Sequence, residues 1–127
     1  LKNENPLFII ILKGSFIFAS DLVKALDFDV ELCFMQINSY EGTRSSGKIK
    51  EIMGISEQIK DRTLVVVEDI IDTGSTLEYL NQQLLEEQPK KIYYSSLLLK
   101  ASVYKKTIPI VYYSKLVFTK KLYLLTL

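Results

Sequence analysis

Three carboxylates and a run of small hydroxylic residues crowd into one short stretch, VVVEDIIDTGSTL, residues 65–77. Glu68 and Asp69 close an apolar run, Asp72 follows, and Thr73, Gly74, Ser75 and Thr76 come next. Residues 73–76 fall where a strand should turn into a helix. The first N–H groups of a helix have no partner inside it, and the helix dipole is positive there. A glycine lets the backbone approach a ligand closely, and three hydroxyls add donors, so this segment can cradle a phosphate. The carboxylates before it would repel an anion. They suit vicinal sugar hydroxyls, or a magnesium ion bridging to them. An anion at one end and a polyol or metal at the other describe a ribose 5-phosphate. A lone acid pair would mean no more than a solvated strand end with an ordinary cap; all seven positions together point to a site.

The elements that must position these residues follow from hydrophobic patterning. Residues 7–12 form a short apolar run closed by Lys13-Gly14 and read as a buried strand. Ser15 is placed to cap a helix through about Leu26, with Phe16, Ala19, Leu22 and Val23 at helical spacing. Residues 27–37 open with alternating acidic and apolar residues and read as a second strand. Residues 38–51 are polar and glycine-bearing and read as a mobile loop. Thr63 to Ile70 is the clearest strand, β-branched and apolar on both faces. Residues 73–88 follow as a helix, with Leu77, Leu80, Leu84 and Leu85 on one side. Residues 90–100 read as another strand and 108–113 as one more. Strand, helix, strand, repeated, predicts an α/β fold with a mostly parallel sheet covered on both sides. Ligands bind such sheets at the carboxyl ends of strands. Two of those ends carry chemistry: Lys13-Gly14, and Glu68 to Thr76.

Composition narrows the chemistry. The chain has 127 residues, enough for one domain, 1–127, and not two. It contains no histidine, which removes histidine triads and most catalytic zinc sites. Acid/base work falls to Asp, Glu, Lys or Tyr. A net charge of +1 offers no basic excess for nucleic acid. The one cysteine, Cys33, cannot form an internal disulfide, which fits a cytoplasmic protein. No segment reaches the roughly 18 apolar residues of a membrane span, and no signal peptide is visible. The chain lacks an initiator Met and enters a strand at once, so it reads as beginning inside a longer protein. The segment GTRSSGKI, 42–49, nearly spells a phosphate-binding P-loop. Ile49 stands where the magnesium-holding hydroxyl belongs, no buried strand feeds it, and no convincing helix follows, so a loop is the reading retained.

The central stretch resembles the phosphoribosyl-pyrophosphate motif of the type I phosphoribosyltransferases, above all the hypoxanthine-guanine branch. Residues 6–26 resemble that family's first strand, pyrophosphate loop and helix. Residues 37–52 resemble its mobile loop, with Ser39-Tyr40 at the matching pair. Residues 95–106 resemble the strand that ends in a purine-contacting lysine. The likeness covers 6 to about 110 in the family's order, leaving 111–127 as a divergent tail. It implies the Rossmann-like type I fold, magnesium as cofactor, and phosphoribosyl pyrophosphate and a 6-oxopurine as partners. It also implies transfer of the 5-phosphoribosyl group to hypoxanthine or guanine in purine salvage, giving IMP or GMP and pyrophosphate. By matching position, Glu68 and Asp69 hold ribose hydroxyls and metal. Asp72 is the acid/base group at purine N7, and Thr73, Gly74, Ser75 and Thr76 hold the 5-phosphate. Lys13 and Gly14 bind pyrophosphate next to a non-proline cis peptide matching Leu12–Lys13, Ser39 and Tyr40 belong to the loop that closes, and Lys100 contacts purine O6. A dimer or tetramer is the family's habit.

The likeness ends after Ile110. The family continues into a hood with a purine-stacking aromatic and an aspartate for a second magnesium. Here no aspartate follows Asp72, and the tail 111–127 is apolar, β-prone and a pairing hazard if uncovered. Two other readings therefore stand beside the active transferase: a module that binds phosphoribosyl pyrophosphate without chemistry, and an inactive truncated remnant. Retention of Asp72 favours chemistry, since binding alone needs no base at N7.

Overall fold

The computed structural model of the chain describes residues 1–39, 49–53 and 58–110. The elements are β1 (Leu7–Leu12), α1 (Phe16–Lys24), β2 (Glu31–Ser39), β3 (Ile49–Met53), β4 (Thr63–Ile71), α2 (Ser75–Glu86) and β5 (Lys91–Leu99). They build one five-stranded sheet in the order β3-β2-β1-β4-β5. The β1–β2, β1–β4 and β4–β5 pairs are parallel, and β3 joins the β2 edge antiparallel. The expected mostly parallel α/β sheet is therefore present. Its chain path leaves β1 toward β2 on one side and returns as β4 on the other. The strand order reverses between β1 and β4, the switch point where open α/β sheets take ligands.

The two central strands explain why the sheet forms. Leu7, Ile9, Leu64 and Val66 face one core, whereas Phe8, Ile10, Val65 and Val67 face the other. All eight are at most 2% exposed, as strands buried on both faces must be. Leu77, Leu80 and Leu84 bring α2 onto the first core, and Ala19 brings α1 onto the second.

Several expectations are corrected. Ser15 does not cap α1: its backbone is helical, and its hydroxyl donates to the carbonyl of Ile11. This ties the turn after β1 to the strand instead. Phe16 is 54% exposed and Leu85 55%, so neither belongs to a buried helix face. The second strand starts at Glu31 rather than 27, because its ladder with β1 begins only at the Leu7–Glu31 pair. Loop 38–51 gives up its ends to β2 and β3, and 40–48 lie outside the described residues. Residues 108–110 form no strand, and 111–127, with the rest of that predicted strand, also lie outside. Among the described residues no helix is long and apolar enough to cross a membrane.

Candidate functional site

Register places the chemistry. The β1–β4 ladder ends at the Ile10–Val67 pair. Glu68 is the first residue of β4 beyond it, still paired with Ser96 of β5. β1 runs on to Leu12 and turns through Lys13-Gly14, with the Leu12–Lys13 peptide bond cis as the resemblance implies. The two sequence-predicted strand ends thus open on one cleft of about 240 Å³. Gly14, Glu68, Asp69, Asp72 and all of Thr73 to Thr76 line it, together with Leu12 and Ile37.

Gly14 packs directly on Asp69. A Cβ at Gly14 would stand 2.6 Å from the Asp69 Cγ and closer still to its Oδ2. Only glycine lets the turn after β1 lie against the second carboxylate. Asp69 is held in turn by its own Oδ1, which accepts from the Ile70 N–H at 2.7 Å; the Ser96 hydroxyl lies 3.3 Å from the Asp69 carbonyl and 2.7 Å from the Leu98 carbonyl, to which it donates. The Glu68 Oε1 accepts from the Asp69 N–H at 3.1 Å. Burial, and then the side-chain hydrogen bond with Asp69, push the Glu68 carboxyl up from an ordinary 4.5 to about 8. At neutral pH the acid pair therefore keeps a proton, which lowers its repulsion toward an incoming anion.

The cradle forms because Gly74 takes a left-handed backbone, φ 85°, immediately before α2. Thr73 and Ser75 join through their hydroxyls at 3.0 Å, and the Thr73 Oγ1 accepts from the Ser75 N–H at 3.4 Å. Hydroxyls and the helix N-terminus thus meet over one span, as a phosphate requires. Asp72 pairs with Lys100 across the cleft mouth, Nζ to Oδ1 3.4 Å, so the structure brings these two predicted residues together. Lys100 follows β5, and its N–H donates to the Ile71 carbonyl at 2.9 Å. Lys13 is exposed in the turn and is not among the residues lining the cleft. Ser39 ends β2, at the same sheet edge as the site. Tyr40 lies outside the described residues.

A magnesium ion can be tested against these donors. Among the described residues no group of three metal-ligating side chains gathers anywhere. Glu68 and Asp69 alone make a weak protein cage. Magnesium, however, commonly takes one or two carboxylates and completes its shell with water and substrate phosphates, and the acid pair beside an anion cradle fits that habit.

Sequence reasoning missed two residues here. Tyr104 and Lys106 lie over the cradle glycine: a Cβ at Gly74 would stand 2.7 Å from the Tyr104 Cε2 and 2.8 Å from the Lys106 Cγ. No spacing signal marks them, because they reach the site only when the segment after β5 folds back on α2.

Comparison with known proteins bears on the family and the fold. The family model described as a phosphoribosyl transferase domain matches residues 1–120. A hypoxanthine-guanine phosphoribosyltransferase of Lactococcus lactis is 43% identical over 98 residues, 76% of this chain and 53% of that protein. Among solved structures, a hypoxanthine phosphoribosyltransferase from Staphylococcus aureus superposes with a TM-score of 0.80 at 31% identity, covering 88% of this chain and 61% of that one. A hypoxanthine-guanine phosphoribosyltransferase from Bacillus anthracis gives 0.78 at 35% identity, covering 88% of this chain and 65% of that one. The chain spans about half the length of the curated relatives it matches. With the motif, the parallel sheet and the switch-point cleft all in agreement, the chain belongs to the phosphoribosyl transferase family.

Proposed function

We infer that this cleft serves transfer of a 5-phosphoribosyl group from phosphoribosyl pyrophosphate to a 6-oxopurine, hypoxanthine or guanine. One observation carries the reading: a glycine turn, an acid pair and a hydroxyl-lined helix start converge on one cleft, while Asp72 sits at its mouth paired with Lys100. These groups match the parts of the substrate in order. The turn at Lys13-Gly14 receives the pyrophosphate, Glu68 and Asp69 the ribose hydroxyls, and Thr73 to Thr76 the 5-phosphate.

In the reaction, purine N9 bonds to ribose C1 as the bond from C1 to pyrophosphate oxygen breaks. Positive charge develops on the sugar and negative charge on the leaving group. Asp72 takes the proton from N7, which needs no histidine. Lys100 donates to the purine O6 and holds the base over Asp72. The ion pair between them must open to admit the base, and both groups are about half exposed and free to part. Glu68 and Asp69 would hold magnesium, which would supply charge neutralisation at the pyrophosphate. The products are IMP or GMP and pyrophosphate. We place the activity in the cytoplasm, where a chain with one cysteine and therefore no internal disulfide is at home, and, following the family resemblance, in a homo-oligomer.

The test is a coupled assay with the purified chain, magnesium, phosphoribosyl pyrophosphate and hypoxanthine or guanine. Nucleotide formation that falls about 10²- to 10⁴-fold in Asp72→Asn supports the transferase. Absence of nucleotide under those conditions overturns it.

A further inference from the structure

The segment after β5 does more than carry Lys100. It is tied to the cleft at its start, where the Lys100 N–H meets the Ile71 carbonyl, and then turns on itself, with the Val103 and Tyr104 N–H groups donating to the Lys100 carbonyl at 3.0 and 3.1 Å. Tyr104 donates its hydroxyl to the Ile108 carbonyl at 2.6 Å, and Tyr104, Ile108 and Ile110 pack on the core beneath α2. This strap lays Tyr104 and the Lys106 stem directly on Gly74, the residue that opens the phosphate cradle. The Lys106 ammonium then reaches Glu78 at 2.5 Å. Glu78 stands in the first turn of α2, its N–H bonded to the Gly74 carbonyl at 2.9 Å.

Glu78 is awkward where it stands. An acid in the first turn offsets the helix dipole that makes the cradle attractive to anions. Glu68, Asp69 and Asp72 already line the cleft on which this helix start opens, and Lys100 is engaged with Asp72. We propose that Lys106 is a positioning residue of the phosphate cradle: it neutralises Glu78, so that the start of α2 stays electropositive toward the substrate's 5-phosphate. This rests on the reading of the cleft as a phosphoribosyl-pyrophosphate site.

The experiment is calorimetric titration of the chain with phosphoribosyl pyrophosphate and magnesium. Lys106→Met is expected to weaken binding about two- to fivefold at low salt, the size of one charge near a helix end. Adding Glu78→Gln to Lys106→Met should restore the affinity, because the offending charge goes too. Lys106→Arg should retain it and guards against a fold defect in the methionine variant. In 1 M salt, where screening acts over about 3 Å, the gap should close. Native affinity in Lys106→Met overturns the proposal. So does a loss that Glu78→Gln does not repair and salt does not shrink, since a plain structural tether behaves that way. If the unsubstituted chain binds no phosphoribosyl pyrophosphate, the reading of the cleft itself fails, a result distinct from the other two.

Discussion

At the scale of single residues, the acid pair sets the pH behaviour. The Glu68 carboxyl sits at about 8 in the folded chain against an ordinary 4.5. Between those values the folded state holds a proton that the unfolded state has lost, so stability falls as pH rises. The contribution is fully present below about pH 4.5 and is gone above about 8. Urea unfolding of the metal-free chain at pH 5, 7 and 9 should show this decline, and Glu68→Gln should lack that share of it. A second residue-scale prediction concerns Gly14. In Gly14→Ala the new methyl meets the Asp69 carboxylate, and something must move. We expect a loss of about 1–3 kcal/mol in denaturant unfolding, with weaker magnesium-dependent binding of phosphoribosyl pyrophosphate. An unchanged stability would mean that Asp69 swings away freely and that the close packing has no consequence.

At the scale of elements, α2 shows which face of a helix matters. Leu80 is 2% exposed and Leu85 55%. Leu80→Ala should cost about 2–5 kcal/mol, whereas Leu85→Ala should stay within about 0.5 kcal/mol; thermal unfolding of the two variants separates them. Both leucines fit a helical apolar stripe in sequence, and only the sheet beneath decides where the stripe ends. The strands show the same division. β1 and β4 are legible because continuous apolar or β-branched runs bury both faces, and β5, KIYYSSLLL, because apolar residues flank its two buried serines. β2 is legible except at its start, which is fixed by where β1 begins. β3, IKEIM, carries two charges in five residues and exists as a strand through its antiparallel ladder with β2. Nothing local announces such an edge strand.

At the scale of the molecule, the cleft is assembled across the sheet, with β1, β4 and the start of α2 each supplying a wall. Ligand binding should therefore brace the whole fold. Phosphoribosyl pyrophosphate with magnesium at about one hundred times its Kd should add about 2.7 kcal/mol to unfolding stability. A melting temperature indifferent to the ligand would count against the site. Asp72→Asn leaves the cradle and acid pair in place, so it should keep most of that gain while losing catalysis.

The sequence by itself determined the central motif, the parallel α/β class and the two strand ends that carry chemistry. Those are local matters: apolar runs, a glycine between hydroxyls, acids beside them. The tertiary structure decided what touches what. It put Gly14 against Asp69, paired Lys100 with Asp72, raised the Glu68 pKa through burial, and laid Tyr104 and Lys106 over Gly74. The contacts among them join residues far apart in the chain. Register and folding back create such contacts, and composition or periodicity carries no trace of them.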